Sequence, residues 1–214
     1  NKNEVTDLGL KEGDDGYLSL GWSTRHQVGY PVGSLFAPQV GFAQFIPGTD
    51  KIDKSTMTCD ASPGPGLGPI PNGSGVQVAC DEAAWIYQGH PDPSLEASLS
   101  SSFQIGDRLT ISGLVQAKMG QTKYDLQGWW RYAAFHQTRM NLYPQEYDPR
   151  LVAEAQFGSS GEFALWVNPA GFIRWRELSA TYQMPSEWAQ MLGSNRGSIT
   201  LGARNLAMIW TEWQ

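Results

Sequence analysis

Cysteine is nearly absent from this 214-residue chain, which holds only Cys59 and Cys80. Neither sits in a Cys-x-x-Cys pair or near a histidine, so a zinc site is not expected. Charge is also scarce. Asp, Glu, Lys and Arg make up 17% of the residues and the net charge is −6, against a usual charged share of about 25%. An acidic chain lacks the basic surface that phosphate contact needs, which argues against nucleic-acid binding. No apolar run approaches the roughly 18 residues of a spanning helix, which excludes a helical membrane protein. Barrel strands stay open, since each needs only about 9–11 alternating residues. The G-x-S-x-G elbow, the P-loop and the G-x-G-x-x-G fingerprint are all missing. His26, His90 and His136 stand singly, without a second ligand type at helical spacing. The acidic run Glu12, Asp14 and Asp15 lacks the bidentate glutamate of a calcium loop and reads as a solvated turn. No residue nominates itself for catalysis. The chain is therefore read as non-enzymatic, with no cofactor and no metal.

What is abundant is aromatic and turn-forming: 24 Gly, 13 Pro and nine Trp, with aromatics at 12%. This suits a β-rich protein with long loops. It fits an extracellular β-sandwich as well as it fits the aromatic girdles of a membrane barrel. Ser94 to Gln104 alternates, with Leu95, Ala97, Leu99 and Phe103 on one face and serines on the other. After a Gly106-Asp107 turn, Leu109, Ile111, Val115 and Ala117 continue the pattern, which predicts one long antiparallel hairpin. Its strands are about ten residues each, longer than the usual five or six of globular sheets. Phe172 to Gln183 predicts a third strand, with Leu178, Ala180 and Tyr182 on one face. Its start is irregular, because Arg174 and Arg176 fall on the apolar parity. Ile199, Leu201 and Ala203 mark a fourth strand. Between them, residues 186–193 predict one short helix capped by Ser186 and ended by Gly193, with Trp188, Met191 and Leu192 as one apolar patch.

Long stretches show no regular period: residues 1–25, 48–82 and 120–160. The second contains the Gly/Pro-dense loop between the two cysteines. In an oxidising compartment Cys59 and Cys80 would staple it, a closure worth roughly 3 kcal/mol. The third holds Trp129, Trp130, Tyr132, Phe135 and Tyr143. These aromatics can stack on sugars, grip a protein partner, sit at a lipid interface or form the loop's own small core. The sequence leaves these alternatives open. The fold class expected is all-β, an antiparallel long-stranded sheet with long loops, over residues 1–214 as one β-rich domain.

FIRWRELSATYQMP at Phe172 to Pro185, followed by GSITLGARNL at Gly197 to Leu206, resembles the late-barrel signature of SusC/RagA-type TonB-dependent outer-membrane receptors. Arg174, Arg176, Tyr182, Pro185, Asn205 and Leu206 carry that match. Asn1 to Leu8, Val28 to Phe42, Tyr87 to Pro93 and Leu114 to Tyr124 are similar to further segments of the family, in the same order. The resemblance implies part of the C-terminal barrel of a receptor that imports glycans or peptides, in a Gram-negative cell envelope. The family's plug, its TonB-contacting segment and most of its strands have no counterpart here. A partial wall leaves open edges and an uncovered apolar face. The chain is therefore expected to act as a structural or interaction subunit. It would dock onto a larger membrane-associated envelope complex, with protein subunits and membrane lipid as partners. The other expectation is a segment of a working transporter.

Overall fold

A hairpin of two 11-residue strands, Leu95–Ile105 and Leu109–Met119, is the most distinctive element of the chain. The computed structural model describes residues 3–11, 14–64, 73–158 and 163–213. Asn1 and Lys2 of the first family-like segment, Glu12 of the acidic turn and residues 65–72 of the Gly/Pro loop lie outside the described residues. In chain order the strands are β1 (Tyr17–Ser19), β2 (Thr24–Gln27), β3 (Ser34–Ala37), β4 (Val40–Phe42), β5 (Thr58–Asp60), β6 (Gln77–Ala79), β7 (Ile86–Gly89), β8 (Leu95–Ile105), β9 (Leu109–Met119), β10 (Thr122–Tyr124), β11 (Val167–Pro169), β12 (Phe172–Gln183) and β13 (Ser198–Thr211). The helices are α1 (Leu126–Ala133), α2 (Arg139–Leu142), α3 (Pro149–Phe157) and α4 (Ser186–Met191). The chain is mainly antiparallel β with few short helices, and among the described residues no barrel closes. It divides into two compact units, Asn1–Pro91 with Thr122–Asn168, and Asp92–Gln121 with Pro169–Gln214.

The first unit carries the sheets β1-β2-β3-β7 and β4-β5-β6 and the helices α1 to α3. Residues 120–160, expected to be irregular, contain those three helices. Their start signals are local: Asp125 accepts from Gly128 N at 2.9 Å, and Asp148 precedes Pro149 at the first helical position and accepts from Arg150 N at 2.9 Å. An N-cap acid followed by proline is a strong helix start. These helices are eight, four and nine residues long, too short for the apolar period to stand out. The core forms two clusters. Val40, Ala43, Ile52, Cys59, Val152, Ala153 and Phe163 make one; Trp129, Tyr132, Ala155 and Trp166 make the other. Successive residues of α3 serve both. Cys59 and Cys80 are joined as a disulfide 21 residues apart.

The second unit is the four-stranded sheet β13-β12-β9-β8. Leu95 pairs with Met119 and Ile105 with Leu109, leaving a three-residue turn at 106–108. Gly106 takes φ +59 there, a left-handed angle that glycine adopts without a Cβ clash. β8 begins, β9 ends, β12 begins and β13 ends at the same end of the sheet. The opposite end carries the tight turn and the connection 184–197, which includes α4. Ser186 does not cap that helix: Pro185 occupies the N-cap position, with no side-chain hydrogen bond. Proline's fixed φ suits helix entry without any cap.

Candidate interaction surfaces

The pairing register of the second unit sorts its side chains onto two faces, because directly opposed residues point the same way. Leu99 opposes Val115, which opposes Trp175, which opposes Ala207. Phe103 opposes Ile111, then Ala180, then Leu201. One face is therefore an apolar band across four strands, with Ser101 of β8, opposite Gly113, as the polar residue within it. The other face pairs Ser102 with Ser112, Ser179 and Gly202, and Gln104 with Thr110, Thr181 and Thr200. On it Ser102 and Ser112 hydroxyls hydrogen-bond at 2.9 Å, as do those of Thr181 and Thr200. Lys118 bonds Glu96 at 2.7 Å, and Arg204 lies 3.1 Å from Glu177.

The irregular start of β12 is a β-bulge. Trp175 opposes Val115, yet Glu177 opposes Leu114, so Arg176 is the extra residue. The bulge moves Ile173 and Trp175 onto the face of Leu178, Ala180 and Tyr182. It moves Arg174 to the polar face, opposite Gln116, with its guanidinium 5.0 Å from the Phe172 ring. Across the other edge of β12, β13 gains a residue in the same place, at Asn205 and Leu206. Asn205 has φ +52. Asparagine is one of the few residues that take this angle at modest cost.

The apolar band is bare. Leu99 is 72% exposed and Leu201 73%. Phe103, Ile105, Ile199 and Trp210 are exposed as well. Aromatics mark both margins: Trp175 and Trp210 near one end of the sheet, Phe103 and Tyr182 near the other. Trp188, Met191 and Leu192 on and after α4 form a second exposed patch.

In the first unit, the five aromatics singled out by sequence separate. Trp129 and Tyr132 are core residues. Trp129 stacks edge-on against Trp22 at 4.9 Å and donates from Nε1 to Gly158 O at 3.3 Å. Tyr132 packs near Trp166, and burial pushes its phenol up from the usual value. Trp130 and Phe135 are exposed. With Leu126, Gln127, Arg131 and Gln137 they line an open, mostly apolar depression. Leu126 was missed by sequence reading, although it lies one turn before Trp130 on the same helix face. Tyr143 is exposed elsewhere, with the Arg139 guanidinium 5.3 Å from its ring.

Two buried carboxylates hold the first unit together. Glu154 of α3 accepts from Val40 N at 2.9 Å and from Leu165 N at 2.7 Å. Burial pushes its carboxyl up to about 7, against the pull of those two N–H groups. Asp60 accepts from Ser74 Oγ and from the amides of Gly75, Ser74 and Ser62. Burial raises its pKa, but those bonds, led by the Ser74 hydroxyl, outweigh it and leave the group below its usual range. Among the described residues, no group of three or more His, Cys, Asp or Glu could hold a metal ion.

No family model matches this chain, and no curated protein does. Solved structures match it in fold. The RagAB peptide transporter aligns over 98% of the chain with a TM-score of 0.64 and 18% identity. The RagAB peptide importer in its open-open state aligns over 97%, with a TM-score of 0.62 and 18% identity. In both cases the chain spans 22% of the matched protein's length.

Proposed function

We propose that the second unit is a stretch of outer-membrane β-barrel wall and that the chain serves a SusC/RagA-type TonB-dependent importer of peptides or glycans. The observation that carries this is the two-faced sheet. Strands of 11 to 14 residues pair an exposed apolar band, edged by aromatics, with a face of Ser, Thr, Gln and ion pairs. A water-soluble sheet buries its apolar face; a barrel wall turns it to lipid and its polar face to the lumen. Eleven residues at about 3.3 Å each, tilted by about 45°, rise roughly 25 Å, the height of a barrel's apolar band. The asymmetry of the connections agrees, with a three-residue turn at one end and the long excursion 120–171 at the other. On this reading the tight-turn end is periplasmic. The outer edges of β8 and β13 then pair with further strands, since lipid tolerates no open edge. The fold likeness supports the wall architecture; the peptide substrate is taken from the peptide importers that share it, and the glycan alternative from the sequence resemblance. The Gram-negative envelope location rests on the same reading.

A second reading is a non-catalytic subunit docking onto a larger envelope complex, favoured by the exposed depression around Trp130 and Phe135. Arginine substitutions separate the two. On a lipid-facing wall an arginine near the membrane midplane costs about 2–4 kcal/mol. Leu99→Arg and Leu201→Arg should therefore lose the membrane-integrated form of the full chain, while Ser102→Arg and Thr200→Arg keep it. Equal tolerance on both faces, together with release from the membrane fraction by Trp130→Ala and Phe135→Ala, would replace the wall reading with the docking one.

A further inference from the structure

Arg25 on β2 is buried, at 8% exposure. Three rings enclose its guanidinium carbon: Tyr17 at 4.3 Å, Phe36 at 4.6 Å and Trp85 at 4.6 Å. Among the described residues the ion pairs all lie elsewhere, at Lys118–Glu96, Arg139–Glu146, Arg150–Asp148 and Arg204–Glu177. The Arg25 side chain makes no hydrogen bond there either. This is unusual. A guanidinium carries five N–H donors, and a buried charge is ordinarily paired and hydrogen-bonded. Ring faces attract the cation, but they accept nothing from the donors along its edge. Those donors are not sealed away. Among the described residues, the side-chain atoms fully shielded without a partner are Ser23 Oγ, Gln39 Oε1, Gln121 Oε1 and Trp166 Nε1, and no Arg25 nitrogen is among them. The site is thus a largely buried cation walled by aromatics, whose hydrogen-bonding edge is not completely shielded.

We propose that Arg25, walled by Tyr17, Phe36 and Trp85, is a recognition site for a carboxylate ligand. The guanidinium fork matches two carboxylate oxygens in one plane. A carboxylate brings a single negative charge to a single cation, whereas a phosphate near neutral pH brings more charge than one guanidinium balances. The rings lower the local polarity, which strengthens the pairing. Tyr30 and Tyr87 extend the aromatic surface beyond Phe36, with ring centroids 5.0 and 5.6 Å from it, and can cover the apolar body of the ligand. The site lies in the first unit and stands whether or not the sheet of the second unit faces lipid.

Calorimetric titration of the full chain tests this with three probes: benzoate, benzamide and inorganic phosphate. Saturable benzoate binding is expected, at least tenfold tighter than benzamide or phosphate. Arg25→Met keeps the apolar stem between the rings and should weaken benzoate at least tenfold. If circular dichroism shows that variant unfolded, Arg25→Lys decides, because a point charge cannot reproduce the planar fork and should also lose tenfold or more. The proposal is overturned by no saturable benzoate binding, by equal binding in wild type and the folded variant, or by benzamide or phosphate binding as tightly as benzoate.

Discussion

At the scale of single residues, burial decides roles that the sequence leaves open. Trp129 and Trp130 are neighbours in an aromatic run, and nothing in their order says which faces inward. The helix does: Trp129 joins Tyr132, Ala155 and Trp166 in a core, and Trp130 points to solvent. Trp129→Ala should cost about 3–5 kcal/mol, as large core truncations do, and Trp130→Ala less than about 1 kcal/mol. Denaturant unfolding of the full chain checks the difference. Glu154 was equally unreadable, because a lone glutamate in a mixed segment gives no sign of burial. Its carboxyl titrates near 7 when folded and near 4.5 otherwise. Between those values the folded state holds a proton that the unfolded chain has released, so stability declines as pH rises through that window. Wild type should lose about 2–3 kcal/mol between pH 5 and pH 8. Glu154→Gln should be less stable at pH 5 but flat over the same range, and a slope unchanged in the variant would remove Glu154 as its source.

At the scale of elements, the long strands and the short helix α4 were legible, and the three short helices within 120–160 were not. The hairpin strands show period-2 alternation over ten residues or more, and β12 shows it from Leu178 to Gln183, a signal that no local preference obscures. The one irregularity, Arg174 and Arg176 on the wrong parity, was itself information: a parity change midway along a strand is what a one-residue bulge does. β13 was expected to close at Asn205-Leu206 and instead runs on to Thr211, because a bulge interrupts the alternation without ending the strand. Asn205 should be replaceable by glycine at little cost, whereas Asn205→Val places a β-branched residue at positive φ and should cost about 1–2 kcal/mol. Thermal unfolding of the two variants would show it; equal losses would mean that the left-handed angle is not what asparagine supplies.

At the scale of the whole molecule, the sequence pattern carried the two-sidedness of the sheet, but the continuity of each face across four strands came only with the register. Six family-like residues take distinct physical positions: Arg174 on the polar face, Arg176 in the bulge, Tyr182 at the margin of the apolar band, Pro185 at the entry to α4, and Asn205 and Leu206 in the facing bulge of β13. Which medium meets the apolar band is the central claim, and nitroxide labels read it directly. Cysteines introduced one at a time at Leu99, Ser100, Leu201, Ser102 and Thr200 in the full chain, labelled in the native membrane, report collision with oxygen or with a water-soluble nickel chelate. Labels at Leu99 and Leu201 should collide with oxygen and be shielded from nickel, and those at Ser100, Ser102 and Thr200 should show the reverse. Nickel access at all five positions, with no alternation along β8, would contradict a lipid-facing wall.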